Sequence, residues 1–413
     1  MASLRNLKVI YDWYDKIQDA SLNQQEEKKV QCSPFEVEKH LKSPLLEILS
    51  PLHVSAISLN SADFDRCVEL ARRHGVEMLF YFLLKKHYEG SNARIDEYLE
   101  QQKNAYLMAV ARSMRQEAAE KDVIAKLAEA DIPACIIKGN EIARTIYGDP
   151  NCRSSSDIDL LIQTGSLAEA DRILSSMGFN RQDSLPLKFV TGRLHHLVYS
   201  KEGKDILLEL HWDFGYPLYF NMTPDEIWKG VAGDGRQGYS LTPENMVLML
   251  LMHHFRHGFR EFKILVDILW SFYKYDKVID WRAFAGTLRK FGMVKTTLIV
   301  LQQLDDLWDL ADGRLESFTI LRQQLATFPE RPAKFLFRYF RMNLERKETG
   351  ALDMQMSKLV LDKKANVLYS FTKIFFPKPQ EIESLYPATG KWMLPVNYLR
   401  FIWWRVRGRR TEG

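Results

Sequence analysis

KGNEIARTIYGDPNCRSSSDIDLLI, residues 138–162, sets two acids, Asp157 and Asp159, at the head of an otherwise apolar run. Side chains alternate along a strand, so Asp157, Asp159 and Leu161 fall on one face and Ile158, Leu160 and Ile162 on the other. One face suits a core, and the opposite face opens with two carboxylates.

The neighbouring segments read as a small α/β unit. DIPACIIKG, residues 131–139, has a proline at its mouth and a glycine at its exit and predicts a short strand. NEIARTIYG predicts two helical turns closed by Gly148, DPNCRSSS a loop, DIDLLI a second strand, and SLAEADRILSSMG a helix stopped by Gly178. HHLVYSK (195–201) and KDILLELHWD (204–213), separated by Glu202 and Gly203, predict a hairpin.

In ILLELHW the alternation puts Ile206, Leu208 and Leu210 on one face and Leu207, Glu209 and His211 on the other. If the hairpin pairs beside DIDLLI, Glu209 reaches the same patch as Asp157 and Asp159; Asp205 and Asp213 are the alternative third acids. Neighbouring strands lie about 4.8 Å apart, so three such carboxylates raise one another's pKa. Divalent ions relieve that repulsion, and two of them about 3.5–4 Å apart suit in-line displacement at phosphorus. Oxygen ligands favour Mg2+ or Mn2+ over zinc.

The first half of the stretch fits phosphate chemistry. Gly139 and Asn140 stand where a strand passes into a helix, a place where backbone N–H groups can face an anion. Lys138 and Arg153 offer positive charge to a triphosphate, with structural ion pairing to the acids as the plainer role. Ser156 reads as a hydrogen-bonding loop residue of the nucleotide site rather than a nucleophile. His195, His196 and His211 flank the hairpin, where half-buried histidines are common and substrate contact is the alternative.

Lys138-Gly139, a helix, Arg153, Asp157-Ile158-Asp159 and the later acid of LELHW together resemble the nucleotidyltransferase superfamily typified by DNA polymerase beta. IIKGNEIARTIYGDPNCRSSSDIDLLI is most similar to the poorly characterised prokaryotic nucleotidyltransferases that carry a Lys-Gly and an Arg before the paired acids. The match is specific over 131–214 and looser through LTPENMVLMLLMHHFRHGFREFKILVDILW. The resemblance implies an α+β fold, a small mixed β-sheet core flanked by N- and C-terminal helical regions. It also implies transfer of a nucleoside monophosphate from a triphosphate, ATP by expectation, to a hydroxyl acceptor with loss of pyrophosphate, dependent on Mg2+ or Mn2+. Asp157 and Asp159 match the metal-binding pair and Glu209 the third acid. Gly139-Asn140 stands where the superfamily usually has Gly-Ser or Gly-Gly. An alternative keeps the fold and its nucleotide-binding cleft as a regulatory module without turnover.

The rest of the chain frames this unit. Its 413 residues exceed what one core usually holds. They divide into an N-terminal helical region (1–130), the α/β core (131–216) and a C-terminal helical region (217–413). Before the core, SPFEVEKHL at 33–41 reads as a capped helix start, with further helices at 62–74, 76–87 and 92–129. After it, Thr242-Pro243 caps ENMVLMLLMHHFRHG.

With 57 basic against 53 acidic residues, net charge +4 gives no general nucleic-acid signature. Four cysteines without a CxxC pair suit a reduced, cytoplasmic protein, and no run is long enough to span a membrane. His253 and His257 share a helix face, better read as a polar cleft wall than as zinc ligands; Lys263 and Asp267, also four apart, read as a helix-surface pair, with contact between a cleft-facing Lys263 and phosphate as the alternative. VNYLRFIWWRVRGRR interleaves aromatics with arginines. Docking of those aromatics on the domain is favoured, with peripheral membrane or nucleic-acid contact as the alternative.

Overall fold

The computed structural model describes residues 44–52, 61–182, 187–191, 194–201, 206–215, 219–233, 238–329, 331–343, 356–363 and 391–407, with a few isolated positions besides. The expected helix start at 33–41 lies outside these. Four helices come first: α1 (Pro44–Leu49), α2 (Ser61–Arg73), α3 (Glu77–Tyr88) and α4 (Ala93–Ala128). Asn92 starts α4 by accepting a hydrogen bond from the Arg94 N–H at 2.8 Å. Phe64, Phe80 and Tyr98 pack α2, α3 and α4 together, with ring centroids 5.5 to 6.2 Å apart.

The chain turns out of α4 at Asp131, whose φ of +55° is a conformation that Asp tolerates better than most residues, and enters β1 (Ala134–Ile136). Next comes α5 (Asn140–Ile142), which continues as a π turn, Ala143–Tyr147, before Gly148 ends it at φ +81°. β2 (Asp157–Ile162), α6 (Leu167–Ser176), β3 (Phe179–Arg181) and α7 (Leu187–Val190) follow. β4 (His196–Lys201) and β5 (Ile206–His211) form the expected hairpin. After α8 (Pro224–Trp228) come β6 (Val231–Gly233) and β7 (Tyr239–Leu241).

Among the described residues, seven strands make one mixed sheet in the order β3-β4-β5-β2-β1-β7-β6. β2 lies between β1, antiparallel, and β5, parallel. The sheet also extends beyond Tyr216, because β7 pairs with β1 at Cys135 and Tyr239. β3, β6 and β7 were not anticipated. Each is three residues long, too short to show a periodicity.

The alternation in β2 and β5 sorts the two faces as expected. Ile158, Leu160, Ile162, Leu208 and Leu210 join one buried core, over which α4 lays Val123 and Leu127 and α6 lays Leu167 and Leu174. The fold is α+β, a mixed sheet flanked by helices.

The remaining chain is helical among the described residues: α9 (Pro243–Arg256), α10 (Phe262–Lys274), α11 (Trp281–Phe291), α12 (Val294–Trp308), α13 (Glu316–Ala326), α14 (Lys334–Asn343) and α15 (Leu394–Arg407). Thr242 caps α9, accepting from the Asn245 N–H. Trp270 of α10 and Trp308 of α12 donate their indole N–H groups to the carbonyls of Leu49 and Leu46, which ties α1 to this bundle. In α15, Phe401 is buried and Tyr398 half-buried, while Trp392 just before it and Leu399 are exposed. The side chains of Trp403 and Trp404 lie outside the description. No helix among the described residues is long and apolar enough to cross a membrane.

Lys263 and Asp267 are not a surface pair. Their shared helix face turns toward the loop before β2, so the i, i+4 spacing that suggested mutual pairing instead gives each a partner there. The wholly buried Asp267 carboxylate accepts from Arg153 Nε at 3.0 Å and Nη2 at 2.9 Å, and from the Tyr147 hydroxyl at 2.7 Å. Lys263 donates to the Ser154 carbonyl. Removing one partner of a buried ion pair strands the other charge. Asp267→Ala is therefore expected to destabilise the protein by about 3–5 kcal/mol, and Tyr147→Phe by about 1 kcal/mol, both read from the midpoint of chemical denaturation.

Candidate active site

The parallel register of β2 and β5 sets Asp159 directly beside Glu209, with Asp157 beside Leu207 and Leu161 beside His211. Asp157, Asp159, Glu209 and His211 thus rise from one face of two adjacent strands. His211 Nε2 lies 2.9 Å from Asp159 Oδ1 and 3.1 Å from Glu209 Oε2. Lys138 forms an ion pair with Asp159 and stands 3.9 Å from Glu209. Its position follows from strand pairing, since the N–H of the preceding Ile137 donates to the Asp159 carbonyl at 3.0 Å.

Asp159 is only 3% exposed, and Lys138 is also buried. Burial alone raises the Asp159 carboxyl, but Lys138 and the His211 hydrogen bond outweigh it and hold the group well below the usual carboxylate range. Glu209 is likewise lowered; burial opposes the shift and His211 supplies most of it. Asp157 goes the other way, raised by burial and then by the charges of Asp159 and Glu209. His196, 3.7 Å from Glu209 Oε1, is pushed down to about 4, chiefly by burial.

Gly139 makes the turn that follows Lys138. Its φ of +56° with ψ of −122° belongs to glycine, and a Cβ there would stand 3.0 Å from Ser155 Oγ. Ser155 and Ser156 both donate to Asp157 Oδ1, at 3.3 and 3.2 Å.

Two of the expected nucleotide-binding side chains are engaged elsewhere. The Asn140 amide is taken up by α4, its Oδ1 accepting from Ser113 Oγ and its Nδ2 donating to Glu120 Oε1, each at 3.1 Å. Only the main chain of Asn140 remains to face a ligand. The Arg153 guanidinium is held by Asp267. His253 and His257, with ring centroids 4.7 Å apart, have pKa values lowered mainly by burial and also by the charge of Lys138.

The sequence model of the family described as "Uncharacterised nucleotidyltransferase" matches residues 60–309, more than half of the chain and all of the sheet. The protein belongs to this nucleotidyltransferase family. It is therefore a transferase enzyme. No curated protein and no solved structure matches the chain.

Nucleotidyltransferases generally use divalent metals, and the donors present fit one. Among the described residues, Asp159, Glu209 and His211 bring one ligand atom each within 4.8 Å of one another, as do His195, His196 and His211. His253 and His257 belong to neither group. Sequence reasoning placed His211 on the Glu209 face and read it as a half-buried sheet histidine, with substrate contact as the alternative. It read Lys263 as half of a surface pair, with phosphate contact as the alternative; burial and then Arg153 push its ammonium down to about 8, and it lies within the field of Asp157. The signal for Lys263 was its place on the Asp267 face of α10.

Two outcomes test the local architecture. Gly139→Ala is expected to destabilise the turn by about 1–3 kcal/mol through backbone strain, read from thermal denaturation, with transfer activity falling as Lys138 shifts. Burial raises the Glu120 carboxyl to about 7. A pKa raised in the folded state gives stability that is present below the unfolded value near 4.5 and lost as pH rises through 7. Glu120→Gln, which keeps an acceptor for Asn140, is thus expected to match the parent near pH 4 and exceed it at pH 8, by on the order of 2 kcal/mol, in denaturation series across pH.

Proposed function

We propose that the protein transfers a nucleoside monophosphate from a nucleoside triphosphate, ATP by expectation, to a hydroxyl acceptor, with magnesium bound at Asp157, Asp159 and Glu209. The supporting observation is the strand register that stations Glu209 beside Asp159, with Asp157 two residues ahead on the same face. On this reading the protein shares its chemistry with the DNA polymerase beta-like nucleotidyltransferases.

In the transfer, the acceptor oxygen forms a bond to the α-phosphorus while the bond from that phosphorus to the bridging oxygen of pyrophosphate breaks. The metal, when bound, neutralises phosphate charge and organises the in-line geometry. Each protein group then has a distinct task. Glu209, whose low pKa keeps it ionised, receives the acceptor's proton directly or through the surrounding imidazoles. Lys138 supplies a cation beside the phosphates. The Gly139 turn lets main chain approach them without a side chain in the way. Arg153 acts through Asp267, holding the loop that delivers Asp157.

The test is pyrophosphate release and acceptor labelling with purified protein, Mg2+ and each labelled triphosphate. Asp157→Asn combined with Asp159→Asn is expected to abolish both signals, and Glu209→Gln to lower the rate by roughly 10²–10³-fold. Undiminished release by a folded double variant overturns the assignment.

A further inference from the structure

We propose that Asp159, Glu209 and His211 form a resident site for a first-row transition-metal dication, bound through imidazole nitrogen as well as carboxylate oxygen. This deepens the nucleotidyltransfer reading and rests on it for the ion's use, though not for its binding. Neighbouring ligands at right angles around an ion with bonds of about 2.1 Å stand roughly 3.0 Å apart. The His211 nitrogen stands 2.9 Å from the Asp159 oxygen and 3.1 Å from the Glu209 oxygen. Both nitrogen–oxygen pairs thus already have the spacing of cis ligands, and the two oxygens lie within 4.8 Å of each other. Strand pairing maintains it, since Asp159 is in register with Glu209 and His211 follows on the same face.

His211 is 1% exposed and turned wholly to this task. Nε2 carries at most one hydrogen, which cannot fully satisfy two carboxylates, whereas a metal at the vertex serves all three donors. Nδ1, on the far side of the ring, is buried without a hydrogen-bond partner, so the ring's bonding is directed at the two acids. Imidazole selects the ion. Magnesium takes oxygen ligands, while zinc, cobalt, iron and, more weakly, manganese accept nitrogen. The clustering of His195 and His196 with His211 makes the surroundings still richer in nitrogen.

Asp157 stands outside this donor set. It is placed to join Asp159 and Glu209 in meeting the magnesium that arrives on the triphosphate. Lys138 competes for the inner position, because its ammonium pairs with the same Asp159 oxygen that His211 approaches. Its flexible four-carbon stem lets it yield to the metal and turn its charge toward phosphate.

The experiment uses the full chain with Mn2+ alone, without nucleotide, in an EPR titration followed by pulsed EPR of the bound ion. One tight Mn2+ with resolved ¹⁴N coupling is expected, displaced by Zn2+ in competition. His211→Gln should lose the coupling and bind at least about tenfold more weakly. Asp157→Asn should keep both, and Lys138→Met should bind more tightly. Bound Mn2+ without nitrogen coupling, no tight Mn2+, or unchanged affinity in His211→Gln overturns the proposal. If that variant does not fold, the wild-type spectrum decides alone. Transfer activity with Mg2+ in a protein lacking the nitrogen signal removes the site and leaves the reaction. The signal in a protein without transfer activity does the reverse.

Discussion

Pairing β2 with β5 in parallel forces two carboxylates, Asp159 and Glu209, side by side, the first buried and the second half-buried. Like charges so placed repel strongly, and a fold that keeps both must bring compensating charge to them. The protein does so from two directions. Lys138 arrives at the end of β1, and His211 is the second residue after Glu209 on the same strand face. The Gly139 turn then carries the chain away without obstructing the Ser155 loop. Each of these features depends on the strand register; a slip of one residue sends all the polar groups into the apolar core on the other face.

The second organising element is the buried link between α10 and the loop ahead of β2. Asp267 holds Arg153 and Tyr147 at once, and Lys263 reaches the Ser154 carbonyl one residue further along. The π turn brings Tyr147 to this point, and the loop that ends in Asp157 starts immediately after it. The helical part of the chain therefore sets the position of an acid that belongs to the sheet. The residues that make this link all fall within the family match at 60–309.

Much of this was legible in the sequence because the signals were local. Alternation in DIDLLI and ILLELHW sorted core from acid face; Gly148 and Gly178 ended helices at positive φ; Thr242 with Pro243 opened α9. Three of the helices before the core, α2, α3 and α4, were also anticipated within a residue or two, while α1 was not. What escaped was non-local or too short. β7 gains its place from β1, about a hundred residues earlier in the chain. Asp267 was read against its neighbour Lys263, while its true partner, Arg153, comes from another element. Asn140 fitted a phosphate loop by position, yet its side chain is claimed by Ser113 and Glu120 on α4, an arrangement no spacing rule encodes. The alternation also placed His211 two residues from Glu209 on the same face, but its contact with both carboxylates depends on a strand pairing that the sequence left conditional.

The two borders of the sheet bear on how the molecule behaves among its own kind. β3 and β6 are each three residues long, and one carries Arg181 while the other ends at Gly233. Borders this brief expose few unsatisfied main-chain groups to an incoming strand. The long strands β2, β4 and β5 are all interior. Edges of this length give a second copy little main chain on which to add a strand of its own.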